Sequence, residues 1–343
     1  MTKRKLTAID LFSGCGGLTL GLKQAGFRVI AAIEIDPLAV ETYKKNHPRV
    51  HVWEKDIRVL AASRVMEELG LKRGELDLLA GCPPCQGFSA ISTLNGRRRR
   101  SDPRNNLIFE FLRFVRMMRP KAIMMENVPG LVKDRRLKRL NRSLEKLGYK
   151  SNAAVLDAAD YGVPQRRRRF ILMGSPNLAP KFARRGRKAV TVREAIGKLG
   201  PRARKDPLHT FPEKRNAKVR ALIGLVPKNG GSRLNLGLRL QLACHRKSDG
   251  FRDVYGRMAW NDVAPTITGG CCNPSKGRFL HPAKNRCITL REAALLQSFP
   301  QSYFFSLRRG KFAVAEMIGN ALPPEFIRRH ATALTRMLQR HDR

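Results

Sequence analysis

The chain has 343 residues, 42% of them hydrophobic, enough to bury a sizeable core, and this excludes general disorder. Its 68 Lys and Arg outweigh 27 Asp and Glu, for a net charge of +41 and a pI near 11.2. So much positive charge implies a polyanionic partner, nucleic acid first, with a ribosome or an anionic membrane surface left open by composition alone.

Residues 1–175 alternate short apolar runs with helical stretches, the pattern of a parallel sheet flanked by helices. A strand is predicted over 6–12, then a helix over 16–25 that opens directly from a Gly-rich turn. A strand near 27–33, a helix near 37–46 and a weaker helix near 59–69 follow. Residues 76–81 read as a strand stopped by Pro83-Pro84. Leu107, Ile108, Phe111, Leu112, Val115 and Met118 fall at helical spacing, and Pro120 ends that run. A strand over 122–126, a basic helix near 134–147 and strands near 152–156 and 169–174 complete the region. Residues 176–285 are rich in Pro, Gly and Arg, with 24 Lys/Arg against 6 Asp/Glu and little periodicity, and read as a second, irregular domain. Helical order returns over 289–297 and 324–340, the latter with Pro323-Pro324 at its first turn. The expected domains are therefore 1–175, 176–285 and a return over 286–343.

Two segments imitate membrane signals. The opening MTKRKLTAIDLFSGCGGL resembles a leader, but Asp10 and the glycines interrupt it. The uncharged run Leu78–Gly96 has the length of a span, yet its two prolines and polar residues make a poor lipid-buried helix. No membrane partner is expected. Seven cysteines in uneven spacing exclude a disulfide framework and suggest reduced thiols in a cytoplasmic interior.

Four motifs carry chemistry. In DLFSGCGGL (10–18), glycines 14, 16 and 17 lie between strand and helix, where the backbone must turn tightly and approach a ligand. Glu34, about 20 residues on, is placed to accept from ribose hydroxyls, and with Asp56-Ile57 it points to an adenosine-containing cofactor, against the alternative of a turn built for packing only. In GCPPCQGFS (81–89), Cys85 follows a strand end on a turn stiffened by two prolines, where an α/β sheet binds its ligands. The Cys82/Cys85 spacing also suits half a zinc site or a redox pair, but no second matched pair exists, and no metal is expected. Glu126, in ENVPG (126–130), ends a strand at the same rim; the apolar run before it favours burial over a solvated carboxylate. In YGVPQRRRRF (161–170), alternation sends Arg167 and Arg169 to one face, toward an anion, unless this is only a charged edge strand.

Together with KDI (55–57), ITLREAALLQSFP (288–300) and IGNALPP (318–324), these segments resemble the DNA (cytosine-5-)methyltransferase family, of bacterial or phage type, from residue 8 to about residue 330. The resemblance implies a Rossmann-like, S-adenosylmethionine-dependent methyltransferase sheet with a smaller, irregular target-recognition domain. It implies Cys85 as the nucleophile that adds to carbon 6 of a flipped-out cytosine, Glu126 as the acid at ring nitrogen 3, and Arg167 and Arg169 around the base. S-adenosyl-L-methionine would meet Phe12, Ser13, Gly14, Gly16, Gly17, Glu34, Asp56, Ile57, Pro84, Leu107 and Asn320, the last brought beside the Gly-rich turn. Thr266-Ile267 corresponds to the family's Thr-aliphatic pair near the base, and Arg97–Arg100 with Arg104 to a loop that closes on the substrate. The implied partner is double-stranded DNA, with a companion restriction endonuclease acting separately and the enzyme itself a cytoplasmic monomer. A tRNA cytosine-5 methyltransferase and a non-catalytic nucleic-acid-binding protein remain the competing readings.

Overall fold

In the computed structural model, which describes residues 4–84, 102–176, 178–186, 188–199, 203, 205–237, 240 and 252–341, the apolar run at the start forms β1 (Thr7–Leu11), buried along its whole length. It pairs in parallel with β2 (Arg28–Glu34) on one side and β4 (Leu78–Gly81) on the other. β3 (His51–Glu54) flanks β2, and β5 (Ala122–Asn127) flanks β4, again in parallel. β6 (Lys150–Asp157) and β7 (Arg168–Ser175) complete a seven-stranded sheet in the order β3-β2-β1-β4-β5-β7-β6. The sheet expected from the alternating pattern is present, parallel from β3 to β5, and β7 inserts antiparallel between β5 and β6. No crossover helix separates β6 from β7, only a short 3₁₀ turn at Ala158–Tyr161 and the segment Gly162–Arg167, so the two strands pair antiparallel. β3 was not predicted: its four residues hold only two apolar ones, Val52 and Trp53, too few for a run to read.

Helices form where caps and apolar spacing coincide. α1 (Gly17–Gln24) leaves the Gly-rich turn, and α2 (Pro37–Asn46) starts with Pro37 behind Asp36, whose side chain accepts from the Leu38 N–H. α3 (Ala62–Glu68) is followed by α4 (Leu107–Met118), which buries Ile108, Phe111, Leu112, Phe114, Val115 and Met118 and ends at Arg119 in a left-handed conformation. α5 (Arg135–Lys146) is capped by Asp134 and buries only Leu137, Leu140 and Leu144, a narrow stripe on a helix otherwise basic. The stripes of α3, α4 and α5 share one core with the sheet residues Ile9, Leu79, Ile123 and Leu172.

The chain divides into two compact units: Met1–Tyr161, Arg168–Arg185 and Pro324–Arg343 in the first, Gly162–Arg167 and Gly186–Pro323 in the second. This differs from the expected boundaries, because residues 286–323 stay with the irregular unit and the chain re-enters the first only at Pro324. In the second unit α6 (Val192–Ile196), α7 (Pro207–Thr210) and α10 (Gly310–Asn320) pack around α9 (Leu290–Leu296), while α8 (Ala217–Leu225) joins a small apolar cluster with Val254, Tyr255 and Leu280. α11 (Pro324–His341) packs on α1, where a Cβ on Gly21 would lie 2.5 Å from the Pro324 carbonyl oxygen; only glycine permits that approach. Among the described residues no helix is long and apolar enough to cross a membrane, and no group of three or more His, Cys, Asp or Glu is placed to hold a metal ion.

Candidate active site

The Gly-rich turn is held by a carboxylate. Phe12, Gly14 and Gly16 all adopt positive φ, of 60°, 53° and 93°, and for Phe12 that conformation costs about 1–3 kcal/mol. Glu34, at the end of β2, offsets the strain: the Gly14 N–H donates to its Oε2 at 2.7 Å, and the Ile35 and Asp36 N–H groups donate to its Oε1 at 2.9 Å each. The glycine turn and the acidic residue, read in the sequence as two parts of a cofactor site, are thus in direct contact. Beneath the turn, the buried Asp10 accepts from Thr19 Oγ1 at 2.7 Å, and burial lifts its carboxyl to about 7. Asp10 Oδ1 and Ser13 Oγ are buried polar atoms without a partner among the described residues.

The remaining cofactor candidates of the first unit are placed as follows. Gly17 begins α1, and Ile57 is buried in the core below it in sequence order. Asp56 receives the Arg58 guanidinium at its carboxylate, which holds its pKa below the usual range. Leu107 begins α4 and packs against the core, and Pro84 is half-buried. Asn320 lies in the second unit as the exposed last residue of α10.

β4 delivers the chain to the proline turn, and β5 delivers the acid. Gly81 sits so close to β1 that a Cβ would lie 2.9 Å from the Leu11 carbonyl oxygen, and the Cys82 N–H donates to that same oxygen at 3.2 Å. Glu126 is 8% exposed, and Arg169 Nε pairs with its Oε1 at 2.9 Å across from β7. Cys82 lies beside this carboxylate; burial first, then Glu126, pushes its thiol well above the ordinary range. Cys15 is pushed up to about 12 by burial, so neither is a ready nucleophile. Asn127, which sequence reasoning passed over, donates from Nδ2 to the Pro83 carbonyl at 3.0 Å and accepts the Val128 N–H at Oδ1. That side chain ties the proline turn to the strand bearing the acid. Cys85 and the Arg97–Arg100 loop lie outside the described residues; Arg104, just beyond, is exposed and pairs with Asp102 at 2.8 Å.

Arg167 and Arg169 have different partners, and β7 begins at Arg168, between them. In the second unit the Arg167 guanidinium is buried, with Nη1 donating to the Ile267 carbonyl at 2.9 Å and Nη2 to those of Gly319 and Ala321 at 2.8 and 3.0 Å. It clamps three carbonyls on two main-chain segments there. Two glutamines missed in the sequence extend the clamp. Gln165 accepts the Ile267 N–H at 2.7 Å and donates to Gln297 Oε1 at 2.8 Å, and Gln297 donates to the Ile318 carbonyl at 2.5 Å. Thr266 Oγ1 donates to the Arg166 carbonyl at 2.7 Å. The segments 162–170, 288–300 and 318–324, read separately in the sequence, interlock through these side chains.

A family model for C-5 cytosine-specific DNA methylases matches residues 6–336. The chain is 37% identical over 352 residues to the Type II methylase M.HgiDII of Herpetosiphon aurantiacus, covering 96% of this chain and 95% of that protein. It is 34% identical to the Type II methyltransferase M1.HphI of Haemophilus parahaemolyticus, covering 97% and 87% respectively. A solved structure described as a DNA modification methyltransferase encoded within an E. coli prophage superposes with a TM-score of 0.71 at 25% identity, over 98% of this chain and all of that one. DNMT2 of Spodoptera frugiperda shares the Rossmann-like fold with a TM-score of 0.62 at 18% identity, over 98% of this chain and all of that one. With a parallel core sheet carrying a strained glycine turn, an acid beside a proline turn and these similarities over nearly its whole length, the chain belongs to the C-5 cytosine-specific DNA methylase family.

Proposed function

We propose that this DNA cytosine-5 methyltransferase takes its methyl group from S-adenosyl-L-methionine and works through a covalent bond between Cys85 and carbon 6 of a flipped-out cytosine in duplex DNA. The observation that carries the reading is the pair of ties at the ends of β4 and β5: Glu126 held by Arg169 at 2.9 Å, and Asn127 holding the Pro83 carbonyl at 3.0 Å. They set an acid beside the turn that leads into Cys85.

Carbon 5 of cytosine is too weak a nucleophile to attack an alkyl donor unaided. Addition of the Cys85 thiolate at carbon 6, with Glu126 placing a proton at ring nitrogen 3, turns carbon 5 into an enamine-like carbon. After methylation the carbon 5 proton leaves to a base, the carbon 6–sulfur bond breaks, and the thiolate and the nitrogen 3 proton return to the protein. Arg169 keeps Glu126 oriented. Both reacting carbons are stacked within a duplex, so the base must leave the helix first.

The donor supplies an electrophilic methyl on a sulfonium. The residues of the first unit fit such a molecule: Phe12, Ser13, Gly14, Gly16 and Gly17 form the turn, Glu34 offers carboxylate oxygens to ribose hydroxyls, and Asp56, Ile57, Pro84 and Leu107 complete the set. The unpartnered Asp10 Oδ1 and Ser13 Oγ are acceptors of the kind an ammonium group takes. We assign the enzyme to the cytoplasm as a monomer that works alongside a separate restriction endonuclease, as the Type II names of its relatives suggest.

The test uses tritiated donor with unmethylated genomic DNA or tRNA. Label should enter DNA and not tRNA, and Cys85→Ser should abolish it. DNA carrying 5-fluorocytosine, which cannot lose its carbon 5 substituent as a proton, should remain attached to the parent protein through denaturation and not to the Ser variant. Methyl transfer by Cys85→Ser at the parent's rate would sink the mechanism.

A further inference from the structure

The outer face of the α4–α5 pair is a groove of about 480 Å³, lined among others by Arg73, Phe109, Arg113, Arg116, Met117 and Arg139. The opposite faces of both helices pack on the sheet, so the groove lies on the outer side of this helical layer, and none of its lining residues belongs to the glycine turn or to β5. Its arginines are not equivalent. Arg113 is committed to Glu110 at 2.7 Å and to the Leu60 and Ile57 carbonyls. Arg139 lies over the Phe109 ring at 4.9 Å, Arg116 reaches only Ser143 Oγ at 3.4 Å, and Arg73 is exposed. None of these three pairs with a carboxylate among the described residues.

α5 adds to the field in a way helix physics disfavours. Arg135, Arg136, Lys138 and Arg139 crowd its first five residues, where the dipole prefers acids, and only Asp134 offsets them. Arg135 and Arg139, and Lys138 and Arg142, are like charges four apart on the exposed side. Local stability does not account for this arrangement, whereas a line of phosphates opposite it would, by displacing condensed counterions.

We propose that the α4–α5 groove is a second DNA-binding site, taking the backbone phosphates of a duplex other than the one being methylated. The proposal rests on DNA being the substrate, and it commits to DNA because the uncommitted groups are guanidinium forks suited to phosphate oxygens. The enzyme would then hold two duplex segments at once.

The test is a bridging assay with the full chain. A 40-bp duplex is fixed to beads, protein is added, and retention of a second, fluorescent duplex is measured. In parallel, methyl transfer is followed on 40-bp fragments of unmethylated genomic DNA, too short to reach both sites. Parent protein should retain the second duplex, and Arg73→Gln/Arg116→Gln/Arg139→Gln should retain about tenfold less while methylating the fragments as before. A control of equal charge loss on α2 and its flank, Lys44→Gln/Lys45→Gln/Arg49→Gln, should bridge like the parent. Equal bridging by the groove variant, or equal loss in the control, would overturn the site, as would a parent that binds phosphatidylglycerol vesicles but captures no second duplex. A parent that bridges without methylating would defeat the activity and leave the groove standing; one that methylates without bridging does the reverse.

Discussion

In the first unit, the carbonyls of seven strands are taken up by the N–H groups of neighbouring strands, over a shared apolar core. In the second, loops replace the ladder, and guanidinium groups do what strand N–H groups do elsewhere. Arg257 is wholly buried and donates five bonds: to the carbonyls of Val226, His281, Lys284 and Ile223 at 3.0, 3.0, 2.6 and 2.6 Å, and to Asn285 Oδ1 at 2.8 Å. Arg278 reaches the Gly230, Gly231 and Arg257 carbonyls, and Arg167 those of Ile267, Gly319 and Ala321. A buried carbonyl must find a donor, and an irregular chain offers few N–H groups in the right direction. A planar fork of five donors answers several carbonyls at once. Part of the arginine excess is therefore internal structure, and the charge of +41 overstates what faces DNA.

The contrast predicts that lesions in the first unit's rim lower turnover and that lesions at the second unit's clamps lower stability. The largest effect is expected at Glu126: Glu126→Gln should cut kcat about 10²- to 10⁴-fold with the melting temperature little changed. If unfolding rather than turnover changes, the rim is structural and the contrast fails. Next is Arg257→Met, expected to destabilise by about 3–5 kcal/mol in denaturant titration, because four carbonyls lose their donor together. Arg257→Lys should rescue little of it, since an ammonium cannot reproduce the fork. Asn127→Ala should lower kcat about 10²-fold by loosening the proline turn, while the KM for the methyl donor holds; a rise in that KM with kcat intact would move Asn127 to the cofactor side.

The smallest effect is a slope. Asp10 has a folded pKa of about 7 against an ordinary 3.8, so the folded state holds its proton more tightly. Its contribution is fully present below pH 3.8 and is lost as pH rises to about 7, a fall of at most about 1.4 kcal/mol per pH unit. Asp10→Asn should remove this fall, and saturating S-adenosyl-L-methionine should flatten it in the parent if the donor's ammonium meets Asp10. Identical pH–stability curves for parent and variant would refute the burial argument.

Much of this was legible in the sequence where cause and effect are local. β1, the glycine turn, Glu34 and the apolar stripe of α4 sit within short windows whose spacing states their geometry. Glu126 was legible because it stands next to the end of a buried apolar strand. β3 was not, since His51–Glu54 carries no alternation of its own and pairs on one side only. The reversal of β7 was hidden because a strand's pattern does not encode its direction. α10 begins at Gly310 behind Arg309, with no side-chain cap to announce it. The carbonyls that Arg167 meets lie 100 to 154 positions away, where no local pattern reaches. Gln165, Gln297 and Asn127 act on groups 21 to 132 positions away, beyond any window.

The buried clamps give the second unit an unusual tolerance. A guanidinium keeps its proton at any pH a cell reaches, and bonds shielded from solvent are barely screened by ions. Ionic strength can therefore govern how firmly the exposed arginines grip a polyanion while the interior ones hold the scaffold unchanged. One residue type thus serves as both a salt-tunable adhesive and a salt-blind rivet, separated only by depth.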